Sequence, residues 1–74
     1  MSATVEHFGA RVRLARRELK LSQRALAEKA QITQASVSNY EQGERLPPLG
    51  LAVNLATALD VPLCTLIGEH EGAE

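Results

Sequence analysis

Residues 21–43 read LSQRALAEKAQITQASVSNYEQG, and this stretch decides the fold. Ser22 and Thr33 are good N-terminal caps, and each precedes a short segment with apolar residues at helical spacing. The pattern predicts a helix over residues 23–30 and another from 34 to about 42, joined by a three-residue turn. Two short helices joined in this way form a helix-turn-helix. The side chains expected to point inward are Leu26, Ala27, Ala30, Ile32, Val37 and Tyr40.

Three further helices are predicted, one before this stretch and two after it. Residues 5–19 have apolar residues at spacings of four, three and four, a Pro-Pro pair at 47–48 starts a fourth helix, and Pro62 sets the first turn of a brief fifth. We therefore expect an all-α fold, a compact five-helix bundle over residues 1–68, followed by an acidic, frayed tail over residues 69–74. The expected core stripes are Phe8, Val12, Ala15 and Leu19 in the first helix, Leu49, Ala52, Leu55, Ala56 and Leu59 in the fourth, and Leu63, Leu66 and Ile67 in the fifth.

Length and composition exclude an elaborate active site. A chain of 74 residues forms one small domain, without room for separate cofactor, substrate or effector domains. Its one cysteine cannot form an intramolecular disulfide, and no Cys/His cluster has metal-ligand spacing, so no cofactor or metal is expected. His7 and His70 lie near opposite ends and no serine has a base partner, so the chain is not expected to be an enzyme.

Charge is divided unevenly along the chain, although the formal net charge is only -1. Residues 1–45 contain all eight Lys and Arg and five acidic residues, 8 - 5 = +3, whereas residues 46–74 contain four acidic residues and no Lys or Arg, giving -4. Such a division favours one face for a polyanion and another turned away from it. The alternative is a first helix whose basic face is merely solvated.

The order and spacing of several short motifs resemble the Cro and phage-repressor-like, or XRE-type, helix-turn-helix family. The matching pieces are FGxRVR at 8–13, LSQxxLA at 21–27, YExG at 40–43, Pro47 and LAxALDVPL at 55–63. The resemblance implies a bundle of the lambda repressor-like type with a central helix-turn-helix, whose second helix, the third of the chain, lies in the major groove of double-stranded DNA.

The residues expected outward on the third helix fit a base-reading role. If Val37 and Tyr40 point inward, their neighbours around the helix point outward, and these are short or amide-bearing rather than charged. An amide can present a donor and an acceptor together to adenine, and an alanine methyl can contact thymine. The alternative is a plain polar surface. The predicted base contacts are Gln34, Ala35, Ser38 and Asn39.

Phosphate contacts are expected around the same unit. In the family that the chain resembles, the glutamine that opens the second helix contacts the DNA backbone and braces the glutamine that opens the third. This implies a contact between Gln23 and Gln34. The N-terminus of the second helix also directs free N–H groups towards a phosphate. The predicted phosphate contacts are Gln23, Arg13, Arg45, Arg24 and Ser36.

The resemblance also implies an ion pair and draws attention to three turns. Arg16 and Glu41 match a partly buried structural pair that joins the first helix to the end of the third, the alternative being a loose surface pair. Lys20, Gln31 and Asp60 hold positions where the family often has glycine. Either these turns differ, or the core compensates for left-handed residues that carry side chains.

Self-association is expected, because one small domain contacts too few bases for the specificity that a regulator needs. A twofold dimer would place two reading helices about 34 Å apart on a palindromic site. The alternative is a scatter of apolar surface residues. The residues predicted at the dimer interface are Leu46, Leu51, Leu63 and Cys64.

The preferred function is therefore a sequence-specific transcriptional regulator, expected to be a repressor that binds a palindromic operator as a homodimer. Its single cysteine, the lack of an apolar run of membrane-spanning length and an N-terminus without export-signal features predict a cytoplasmic, nucleoid-associated protein. The alternative is an antitoxin-type interaction protein that binds a partner toxin and autoregulates its operon.

Overall fold

The computed structural model describes residues 5–67, which contain five helices and no strand. The helices are α1 Val5–Glu18, α2 Gln23–Ala30, α3 Gln34–Glu41, α4 Leu49–Leu59 and α5 Leu63–Ile67. The expected all-α bundle with a central helix-turn-helix is confirmed, while the tail predicted over residues 69–74 lies outside the described residues. None of the described helices combines the length and the apolar character needed to cross a membrane.

The core lies where the five helices meet. Its largest fully buried side chains come from every helix, and they are Phe8, Val12, Leu26, Val37, Leu55, Leu59 and Leu66. Helix α3 packs against both α1 and α2, while α5 packs against α1 and α4. Helices of five to 14 residues are marginal in isolation, so their stability comes from this shared apolar burial, about 1.5–3 kcal/mol for each large side chain.

Two leucines that were expected in the core are exposed, and the helix ends explain both errors. Leu19 is 45% exposed because α1 ends at Glu18, so this side chain belongs to a turn and leaves the helical stripe. Leu49 is 72% exposed because it is the first residue of α4, and the buried stripe begins only at Ala52. Apolar spacing alone predicted which residues are buried. Residues at or beyond the end of a helix do not follow that spacing.

All three turns at which the family often has glycine adopt the left-handed conformation. Lys20, Gln31 and Asp60 have φ values of 60°, 63° and 61°, and Gly43 closes α3 with a φ of 80°. After each of these residues, the next backbone N–H donates to a carbonyl five residues earlier, as Ile32 N does to Ala27 O at 3.0 Å. These bonds satisfy carbonyls that a helix end leaves without partners. The turns are therefore of the glycine type, although three of them carry side chains.

Gly9 allows α1 to approach the end of α3 more closely than any other residue would permit. A Cβ atom at this position would lie 2.3 Å from the carbonyl oxygen of Tyr40 and 2.8 Å from that of Glu41. Both neighbours are backbone atoms, which cannot move aside as a flexible side chain can. The FG pair at the start of α1 therefore combines a buried anchor, Phe8, with a point of backbone contact.

We expect Gly9→Ala to separate α1 from α3 and to lower the free energy of unfolding by about 1–3 kcal/mol, as overpacking in a core does. Gly50→Ala is the matched control, since a Cβ added to that helical glycine would meet no other part of the chain within 4 Å, and it should stabilise the fold by about 0.5–1 kcal/mol. Thermal unfolding followed by circular dichroism measures both. Equal melting temperatures for the two variants would contradict the close approach.

Candidate nucleic-acid interface

The α2–α3 unit is fixed by a side-chain cap at the start of each helix. Ser22 Oγ accepts from Ala25 N at 2.9 Å, and Thr33 Oγ1 accepts from Ser36 N at 3.1 Å. Each cap satisfies one of the free N–H groups at a helix start and contributes typically about 1 kcal/mol. Together with the left-handed Gln31 between the helices, the caps set the angle at which α3 leaves α2.

The outward face of α3 carries no charge. Glu41 is the one charged residue in this helix and it is buried, as are Val37 and Tyr40 on the inward face. Of the predicted base contacts, Gln34 and Ala35 are exposed, while Ser38 and Asn39 are half-buried. The exposed surface at the start of α3 is thus an amide beside a methyl group, which can meet the hydrogen-bonding edges and methyl groups of bases.

Gln42 is a member of this face that the sequence analysis missed. Its Nε2 donates to Ser38 Oγ at 3.1 Å, one helical turn earlier, and its side chain is exposed just after α3. Residues four apart lie on one side of a helix, so Gln34, Ser38 and Gln42 form a single row. The spacing of these three polar residues was the signal that could have found it.

Arg16 and Glu41 form a bidentate pair between α1 and the last residue of α3. Arg16 Nε donates to Glu41 Oε2 at 2.6 Å and Arg16 Nη2 donates to Glu41 Oε1 at 3.1 Å. The side chains are 12% and 1% exposed, so the pair is removed from water and is not the loose surface contact of the alternative. Arg16 Nη1 also donates to the carbonyl of Leu21 at 2.8 Å, which ties the segment before α2 to the same guanidinium.

The amide of Gln23 is bound at the opposite end of α3 from the one expected. Gln23 Nε2 donates to Glu41 Oε1 at 3.1 Å, and within residues 5–67 no hydrogen bond joins it to Gln34. The implied brace between the two glutamines is therefore not present in this structure. The physical reason is that the buried carboxylate of Glu41 is a stronger acceptor than a neutral amide.

The remaining predicted phosphate contacts differ in exposure and in the partners that they already have. Arg13 is 44% exposed, and its Nε lies 3.7 Å from Glu41 Oε1. Arg24 is 80% exposed and pairs with Glu28 along α2, and Arg45 is exposed in the loop after α3. Ser36 is half-buried and its Oγ accepts from Thr33 Oγ1 at 2.9 Å.

The predicted dimer residues differ in their exposure to solvent. Leu46 is 48% exposed, and Leu51 and Cys64 are half-buried. Leu63 packs against the core because α5 lies on α1 and α4, so part of its surface is already used within the domain. The most exposed apolar side chains after α3 are instead Leu49, at 72%, and Leu46, with Val53 one turn further along α4.

No metal-binding cluster accompanies these features in residues 5–67. The His, Cys, Asp and Glu side chains of this part of the chain are not grouped in threes that could hold a metal ion. Every buried side-chain nitrogen and oxygen described has a hydrogen-bond partner.

The chain is similar to known regulators in sequence and in structure. A family model described as helix-turn-helix matches residues 12–66. The HTH-type transcriptional regulator y4dL of Sinorhizobium fredii is 38% identical over 63 residues, which are 85% of this chain and 32% of that protein. The chain therefore spans about a third of the length of this relative.

Two solved structures are similar to most of this chain. The restriction-modification controller protein C.AhdI of Aeromonas hydrophila is 35% identical with a TM-score of 0.82, covering 85% of this chain and 96% of that one. The P22 c2 repressor, solved in complex with a synthetic operator, is 28% identical with a TM-score of 0.78, covering 81% of this chain and 91% of that one.

We expect Arg16→Ala to lower the free energy of unfolding by about 3–5 kcal/mol, because it leaves the Glu41 carboxylate buried without its main partner. Arg24→Ala is the matched control, since it removes an arginine from an exposed pair worth about 0–1 kcal/mol. Urea unfolding at neutral pH measures both changes. A midpoint for Arg16→Ala within error of the Arg24→Ala value would show that the pair contributes nothing.

Proposed function

This chain belongs to the helix-turn-helix family of Cro and phage-repressor type, and we propose that it is a sequence-specific regulator of transcription that represses by binding a palindromic DNA operator as a homodimer. The family and the relatives described above are transcriptional regulators rather than enzymes. The observation that carries the proposal is the uncharged outward face of α3, which begins with the exposed side chains of Gln34 and Ala35.

Base reading in this proposal belongs to α3. A merely solvated helix face of this length would be expected to carry Lys or Glu, whereas this one presents amides, hydroxyls and a methyl group. Gln34 is the leading reader, because its exposed amide can form two hydrogen bonds with adenine. Ala35 supplies an apolar contact for thymine, and Ser38 and Asn39 follow further along the helix.

We assign phosphate binding to the residues around α3. Phosphate groups carry the same charge whatever the base sequence. Arg45 is exposed in the loop at one end of α3, while Arg13 and Gln23 are gathered near Glu41. Contacts of this kind fix the position of a protein on the duplex without selecting its sequence. Arg24 on α2 and Ser36 on α3 are proposed as further phosphate contacts.

Homodimer formation is supported by the exposed apolar side chains that follow α3. Leu46 and Leu49 lie in residues 46–74, which contain no Lys or Arg, and they are 48% and 72% exposed. Leu51 and Cys64 add half-buried surface, and Leu63 adds the part that the core leaves uncovered. A twofold dimer through this region would present two copies of α3 to successive turns of DNA.

Substitutions at Gln34 and Arg45 should separate specificity from general affinity. Gln34→Ala should cost about 1–3 kcal/mol on the preferred operator and relax the choice at one base pair. Arg45→Ala should weaken all sequences alike and reduce the slope of log affinity against log salt concentration by about 1. Fluorescence anisotropy with operator and random duplexes measures both. Equal losses for Gln34→Ala on the two duplexes would show that Gln34 does not read a base.

Selection from a random duplex pool should yield a palindrome with half-sites one DNA turn apart. Sedimentation velocity should show a dimer, which Leu46→Lys should shift towards monomer, while Leu14→Lys, at a 59% exposed site on α1, should leave it unchanged. An asymmetric selected site with a monomeric protein would refute the dimeric repressor. A toxin that co-purifies with the chain would favour the antitoxin function instead.

A further inference from the structure

Gln23 has a partner other than the one that its place in the helix-turn-helix implies. Its amide nitrogen donates to Glu41 Oε1 at 3.1 Å, at the C-terminal end of α3, whereas Gln34 opens that helix. We propose that Glu41 is the positioning residue for Gln23, so that the last turn of the DNA-reading helix, and not its first, is tied to the phosphate contact at the start of α2. This inference rests on the DNA-binding function proposed above.

The chemistry of the two groups fixes how the Gln23 amide is turned. A carboxylate accepts hydrogen bonds and cannot donate, so Nε2 must face Glu41. A phosphate oxygen is also an acceptor only, and the second N–H of the same nitrogen is left to donate to it. One nitrogen of Gln23 therefore bridges the buried carboxylate and the DNA backbone. Without the hydrogen bond to Glu41, the glutamine could turn either its oxygen or its nitrogen towards the DNA backbone.

Glu41 is suited to this role because it is itself held firmly. Its side chain is 1% exposed and accepts two bonds from Arg16 in addition to the one from Gln23. Arg16 also donates to the carbonyl of Leu21, two residues before Gln23. The backbone before α2 and the Gln23 side chain are therefore both bound to the Arg16–Glu41 pair. Hydrogen bonds to charged acceptors are shorter and roughly twice as strong as neutral ones.

In this arrangement the Gln34 side chain does not have to support Gln23. Its exposed amide has no hydrogen bond to Gln23, so both of its ends are available to a base. Gln23 and Gln34 should then contribute independently to DNA binding, whereas Gln23 and Glu41 should act as one unit. A purely structural Glu41 would change stability but would not produce this pattern of coupling.

The first test uses double-mutant cycles on the whole chain, with affinities measured on the selected operator at a temperature where every variant is folded. Gln23→Ala should weaken binding about tenfold, as the loss of one good hydrogen bond does. In the Gln34→Ala background the same substitution should again cost about tenfold, so that the two losses multiply. In the Glu41→Leu background, which offers the amide no acceptor, it should cost less than about twofold, because Gln23 has already lost its orientation.

The second test needs no DNA and remains informative if Glu41→Leu does not fold. Gln23→Glu places a second carboxylate beside Glu41 and should lower the melting temperature by several degrees. Gln34→Glu, the matched control at an exposed site, should change it little. If Gln23 were braced by Gln34 instead, a glutamate at position 23 would still accept from the Gln34 amide and the melting temperature would hold.

Side-chain amide NMR of the free protein supplies the direct readout. The Gln23 NH₂ resonances should keep their positions in Gln34→Ala and move when the Arg16–Glu41 pair is altered by Arg16→Lys. Gln23 resonances that move in Gln34→Ala, together with less-than-multiplicative losses for the two glutamines, would overturn the proposal. Failure to bind any duplex would contradict the proposed function, and the NMR and melting results would then decide the role of Glu41 by themselves.

Discussion

A carboxylate buried at the end of α3 governs how the first three helices meet. The C-terminus of a helix already carries partial negative charge, and Glu41 adds a full charge where water is excluded. Only a close cation can compensate, and Arg16 provides it from α1 with two hydrogen bonds. Gly9 makes this reach possible, since a side chain there would collide with the last carbonyls of α3. The Arg16–Glu41 ion pair and the backbone contact at Gly9 thus both join α1 to the end of α3, and we call this contact the junction.

This junction anchors the C-terminal end of α3, while side chains at the start of the helix are exposed. Val37 and Tyr40 hold the helix against α1 and α2 along its length, and Glu41 anchors its last turn. In the first turn the Thr33 cap holds the backbone, while the side chains of Gln34 and Ala35 are exposed to solvent. Rigidity at one end and exposure at the other are what a helix needs if its side chains are to meet base edges in a fixed register.

The sequence was sufficient for the helices and for the inward face of α3, because apolar spacing, caps and proline positions are local signals. It was insufficient at Leu19 and Leu49, where burial depends on the residue at which a helix ends rather than on spacing. It was also insufficient for Gln23, whose partner lies 18 residues away in α3. Choosing between Gln34 and Glu41 as that partner requires the distance between helices, and no linear pattern contains it.

The left-handed turns at Lys20 and Asp60 have a consequence for engineering. A residue with a side chain in this conformation is about 1 kcal/mol less favourable than glycine, and a natural domain is stable by only about 5–15 kcal/mol. Both residues are exposed, and both lie outside α2, α3 and the turn between them. Heat resistance in this domain can therefore be improved at two surface turns, without altering either its interior or the residues that would determine its choice of operator.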